Sequence, residues 1–184
     1  MRFGLVAVTM IGAGAITAAG GIHAALSQDM QFGDPDSLAF SQALYAALEE
    51  ANLIGPNAAR SYAYQGNEPH GAILEQVETN LAVEGQTGTV IVKTNFMADG
   101  LTPQQVMDAP IDEYLVATTV MFKREAGYNP DAEDWFWAKY LPDASLDQTP
   151  DGVQLAGRVP GCIGCHQGAS GGDFVFLHDR YVSE

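Results

Sequence analysis

Gly88-Thr89-Val90-Ile91-Val92-Lys93-Thr94-Asn95-Phe96 carries the plainest structural signal in this chain of 184 residues. Threonine, valine and isoleucine crowd it. Their branched β-carbons pack well on a pleated surface and lose rotamer freedom in a helix. The stretch predicts a strand, and the segments on either side predict its neighbours. Upstream, Ile73, Val77, Leu81 and Val83 alternate imperfectly with polar residues between Gly71 and Val83, and Glu84-Gly85-Gln86 reads as the turn joining the two strands. Downstream, Tyr114 to Phe122 is nearly continuously apolar, which predicts a strand buried on both faces. Lys123-Arg124-Glu125-Ala126-Gly127 closes it, and Trp135-Phe136-Trp137-Ala138-Lys139-Tyr140 follows as an aromatic strand. Short connections between such strands favour antiparallel pairing.

Helical signals flank this sheet. Asp36 or Ser37 can cap a helix running to about Asn52, with Phe40, Ala43, Leu44, Ala47, Leu48 and Ala51 on one stripe and Ser41, Gln42, Glu49 and Glu50 on the other side. Gly55-Pro56 ends it, and Ser61 to His70 reads as a loop. Thr102 can cap a short helix through Pro103, Val106 and Met107. Leu141 to Val159 reads as loop, with Pro142, Pro150 and Gly152. The fold class is therefore α+β, a mainly antiparallel β-sheet with an N-terminal helix and flanking short helices.

Chemistry enters at Cys162-Ile163-Gly164-Cys165-His166, which holds both cysteines of the chain. C-x-x-C-H is the attachment signal of a c-type haem. Two thiols three positions apart can add across the two vinyl groups of one porphyrin, and the adjacent His166 supplies an axial nitrogen to the iron. A redox dithiol of the thioredoxin kind would follow a strand and open a helix inside a βαβ pattern, and no such pattern leads into Gly157-Arg158-Val159-Pro160-Gly161. A closed zinc site would want a second Cys/His pair, which the single His70 and His178 do not offer. The expected cofactor is one covalently attached haem c.

The N-terminus agrees with that chemistry. Met1-Arg2 is a basic start, an uncharged Gly- and Ala-rich run extends from Phe3 to about Ala25, and Ala25-Leu26-Ser27 offers the small residues of a cleavage site. Residues 1–27 read as a cleaved signal peptide and residues 28–184 as one exported, periplasmic domain with no membrane insertion after cleavage. Removing Arg2 moves the net charge from −15 to −16. Such acidity argues against nucleic acid and anionic membrane surfaces as partners.

Several residues are candidates around the iron. His70, His178, Met97, Met107 or Met121 could each supply a sixth ligand and make the protein an electron carrier. Arg158 could pair with a haem propionate or lie in solvent. Phe174 and Phe176 are close enough to His166 to line the pocket. Trp135 and Trp137 share a strand face and read as core or subunit contact rather than haem wall. Lys93 stands out as a cation at the end of an apolar strand, on the wet face or at the haem edge.

Four blocks in order make the chain resemble the cytochrome P-460 family. They are Gly88 to Lys93, Val120-Met121-Phe122-Lys123-Arg124 with Gly127-Tyr128, Asp134-Trp135-Phe136, and the C-x-x-C-H motif with Asp173-Phe174-Val175-Phe176. The resemblance implies a homodimer of sheet-rich subunits, each with a haem near the C-terminal end, held by the motif histidine with an open distal side. One branch of the family oxidises hydroxylamine and nitric oxide and carries a lysine cross-linked to the porphyrin, and Lys93 matches that position. The related cytochrome c′-beta branch lacks the cross-link and binds nitric oxide or carbon monoxide. The distal acid of the oxidising branch aligns near Thr118 or Thr119, where this chain has no carboxylate, though Glu113 lies just upstream. The resulting expectation is a mono-haem cytochrome acting on, or binding, small nitrogen oxides and served by a soluble redox partner protein. The alternatives are an electron-transfer cytochrome with a sixth protein ligand, and a non-catalytic nitric oxide or carbon monoxide binder.

Overall fold

The structure, a computed structural model, describes residues 32–170 and 172–176. The leader and His178 lie outside the described residues.

A six-stranded antiparallel sheet organises the chain, with strands in sequence order. They are β1 (Tyr64–Gln65), β2 (Ile73–Val83), β3 (Gln86–Phe96), β4 (Leu115–Lys123), β5 (Trp135–Tyr140) and β6 (Ala156–Gly157). Three α-helices accompany it among the described residues, α1 (Pro35–Glu50), α2 (Pro103–Asp108) and α3 (Pro160–His166). This is the α+β arrangement that the alternating and helical segments predict.

Local chemistry explains the boundaries. α1 begins two or three residues before the expected caps, because Asp34 accepts from the backbone N–H groups of Asp36 and Ser37 and Pro35 fits the first helical position. β2 and β3 meet at Glu84 and Gly85, whose φ values of 50° and 81° make the two-residue turn matched to strand twist. Thr102 caps α2 reciprocally with Gln105. β5 has the expected bounds. β4 is less enclosed than its composition suggests, since Val116 is exposed and Thr118 and Thr119 are half-buried.

Alternation divides the sheet into two faces. On one, Val90, Val92, Val120, Phe122, Phe136 and Ala138 pack under Phe40, Leu44 and Leu48 of α1. The Phe40 ring meets Phe136 at 4.8 Å and Phe122 at 5.5 Å between centroids. Ser41 belongs to this buried face and not to the solvent side. The Tyr140 hydroxyl donates to its carbonyl at 2.7 Å, which fixes the helix on β5. Ala51, by contrast, is exposed.

The opposite face carries the intervening residues. Ile91, Met121, Trp135 and Trp137 pack with Val159 and Val175 from the C-terminal segment. Pairing on this face sets Gln76 opposite Lys93, Lys93 opposite Thr119, and Thr119 opposite Lys139. One row therefore crosses four strands, and α3 lies over it.

The region read as loop from Leu141 to Val159 contains more order than its composition signals. It holds β6 and isolated bridges at Tyr140–Leu146 and Gln148–Gln154.

Candidate haem site

α3 starts at Pro160, where a missing N–H costs nothing. Helical spacing then places Cys162, Cys165 and His166 at i, i+3 and i+4, on one face. Both cysteines are free thiols. Burial pushes the Cys162 thiol up to about 11, with Cys165 adding to it and Lys139 opposing, while Cys165 is exposed.

His166 is buried, and its Nδ1 lies 2.7 Å from the Phe174 carbonyl. A carbonyl can only accept, so Nδ1 carries the hydrogen and donates it. Nε2 is then the lone-pair nitrogen, the form that ligates a metal. Burial is the main force holding the imidazole below its ordinary pKa, with Lys93 adding to it, so the ring stays neutral. The Phe174 segment is held in turn by the Trp135 Nε1–H, which donates to the Asp173 carbonyl at 2.8 Å.

A cleft of about 260 Å³ separates α3 from the sheet. Cys162, Cys165 and His166 line it from the helix, and Ile91, Lys93, Thr119, Met121, Trp137 and Lys139 from the sheet. A second cavity of about 210 Å³ shares Pro69, His70, Lys93, Cys165 and His166 with it and adds Tyr64, Asn67, Glu68, Leu74, Gln76 and Phe176. The thiols, a neutral imidazole with a free Nε2 and largely apolar walls fit a covalently tethered porphyrin. Two buried donors on this face, Trp137 Nε1 and Gln76 Nε2, have no protein partner. In a chain of net charge −15, two of its eight Lys and Arg residues line the cleft, Lys93 and Lys139. Asp147 pairs with Lys139 at 2.8 Å.

The remaining candidates divide as follows. Lys93 and Thr119 face the cleft, and Phe176 lies 5.2 Å from the His166 ring and lines the second cavity. Phe174 packs beneath α3 and supplies its carbonyl. Arg158 alternates away from the cleft and stacks on Tyr128 at 4.9 Å. Thr118 points to the other face of β4, so only one of the two threonines reaches the site. Glu113 is exposed on the approach to β4. Met97 and Met107 are exposed, whereas Met121 lines the cleft. Trp137 is a wall of the cleft as well as core, 4.7 Å from the His166 ring, which corrects the expectation for that residue. Gln76 and Lys139 carry no local signal, and only strand register shows that they join Lys93.

His70 comes from the loop before β2 to the centre of this arrangement. Its Nδ1 is 3.3 Å from the Thr119 hydroxyl, and its ring centre is 6.0 Å from that of His166. Burial, then the charges of Lys93, His166 and Lys139, push its pKa down to about 3.

A C-x-x-C-H helix over an antiparallel sheet, with both thiols and the buried His166 lining one cleft, is the arrangement of a haem-binding cytochrome. The family model for Cytochrome P460 matches residues 72–177, more than half of the chain, and the chain belongs to that family. Comparison with curated proteins gave no match, and neither did comparison with solved structures.

Proposed function

We propose that this chain is an exported, periplasmic mono-haem c-type cytochrome that binds small nitrogen oxides and passes electrons to or from them. The observation that carries the reading is the His166 Nδ1–H bond to the Phe174 carbonyl, on a helix whose two thiols line the same cleft. Cys162 and Cys165 carry the thioether links, and His166 Nε2 holds one axial position. Bound haem supplies a redox-active iron that takes diatomic ligands.

The chain's other groups shape what can bind. Lys93 stands at the porphyrin edge. The Thr119 hydroxyl can hydrogen-bond a small polar ligand. Among the described residues no carboxylate lines the cleft between α3 and the sheet, while Glu68 lines the adjoining cavity beside His70. The acidic surface suits a basic or neutral soluble redox partner, and family resemblance supports a homodimer.

The test is expression with a c-type maturation system, followed by mass spectrometry and nitric oxide titration. Haem should remain on the Cys162–Cys165 peptide after denaturation, and nitric oxide should shift the absorption spectrum. A protein that carries no covalent haem when matured would refute the reading. A peptide map of the same sample reports whether Lys93 is bonded to the porphyrin, and an acceptor assay with hydroxylamine reports turnover.

A further inference from the structure

The two cavities share His70 and His166, together with Pro69, Lys93 and Cys165, so void extends to either side of that histidine pair. Their ring centres stand 6.0 Å apart with planes at 78°. With metal–imidazole bonds of about 2 Å, two trans imidazoles on one ion have nitrogens about 4 Å apart and ring centres about 6 Å apart. The observed separation is that of two axial ligands sharing one metal, and the void on both sides is where a flat macrocycle would extend.

The hydrogen bonding of the two rings agrees. His166 gives its Nδ1 hydrogen to a carbonyl, which leaves Nε2 for the iron. The Thr119 hydroxyl lies within 3.5 Å of the Lys93 carbonyl and 3.3 Å of His70 Nδ1. In the tautomer in which His70 Nδ1–H donates to the hydroxyl oxygen, the hydroxyl hydrogen is left for the Lys93 carbonyl and His70 Nε2 carries the lone pair. Each ring has a protein partner at Nδ1, the pattern of a metal-bound histidine.

We propose that His70 is the second axial ligand of the resting haem iron, trans to His166, and that a small ligand reaches the iron by displacing it. The iron–Nε2 bond to His70 breaks as the bond to the incoming ligand forms, and no electron need move in that exchange. Thr119 acts through His70 and is a positioning residue. The inference rests on the haem reading above.

The experiment uses the matured holoprotein. Wild type should be six-coordinate and low-spin in both oxidation states, with the near-infrared magnetic circular dichroism of two imidazole ligands. H70A should be high-spin, and added imidazole should restore the low-spin spectrum. Carbon monoxide should bind H70A at least about tenfold more tightly than wild type, because a site blocked most of the time loses affinity in proportion to its free fraction. T119V keeps His70 but removes the acceptor, so it should show a high-spin fraction. A five-coordinate, high-spin wild type, or a low-spin H70A without added imidazole, would overturn the proposal and leave the haem reading standing. Protein without covalent haem would end both.

Discussion

Replacing Arg60 with methionine should destabilise the protein far more than replacing Arg60 and Glu75 together. The Glu75 side chain is 3% exposed, and Arg60 meets it in a fork, Nε at 2.8 and 2.9 Å from the two carboxylate oxygens and Nη2 against Oε1. The same guanidinium donates to the Val106 carbonyl at 2.9 Å and the Ala109 carbonyl at 3.3 Å, tying the end of α2 to β2. R60M leaves the carboxylate buried and unpaired, a change that costs about 3–5 kcal/mol in comparable pairs. In a domain of this size that corresponds to a fall in Tm of about 10 °C. R60M/E75L removes both charges and keeps apolar volume, and should lie within about 1–2 kcal/mol of wild type, the lost carbonyl bonds included. Urea denaturation of the holoprotein, followed by tryptophan fluorescence, measures both. Equal losses in the single and double variants would refute the reasoning, because the cost would then lie in packing or in the α2 tether. Glu75 adjoins Gln76 on β2, so R60M should also perturb the haem absorption spectrum if the strand shifts.

Tyr140 predicts alkaline behaviour. Burial raises its pKa well above the ordinary 10.0, with Tyr45 adding to it. The folded state thus favours the neutral phenol, and its contribution is complete below pH 10 and is lost as pH climbs toward the folded value. Stability should decline above pH 10, and Y140F should flatten that decline while costing about 1 kcal/mol at neutral pH for the lost bond to Ser41. Gly88 predicts a steric limit. A Cβ there would stand 2.1 Å from the Lys123 carbonyl oxygen and 3.0 Å from the Phe122 ring, so G88A should cost about 1–3 kcal/mol by calorimetry through forced separation of β3 and β4. D34A should remove the α1 cap and cost about 1 kcal/mol in urea titrations.

The sheet was legible because its strands advertise themselves locally. Val90 to Val92 and Trp135 to Tyr140 are apolar runs bounded by turn residues, and the elements found match them. β6 was hidden, since two residues of backbone pairing leave no pattern. Ser41 misled because its burial depends on a tyrosine ninety-nine positions away. The haem motif, too, is written locally, in five consecutive residues. The walls of the cleft beside it are not. Gln76, Lys93, Thr119 and Lys139 line up only once the register of four strands is known, and His70 reaches Thr119 across forty-nine positions. Trp137 looked like core because core and cleft wall draw on the same apolar side chains.

That row of four has a consequence for how such a protein can vary. Strands lie about 4.8 Å apart, so the row spans roughly 14 Å as a lattice of independent sockets. The backbone behind each socket is held by neighbours pointing the other way, such as Val92 and Val120 under α1. A substitution at one socket can exchange a cation for an alcohol or an acid without disturbing what keeps the domain folded. A deletion of a single residue in β3 has no such latitude. It would turn Lys93 toward α1 and a valine toward the cleft, so this architecture admits change by replacement and forbids it by shift.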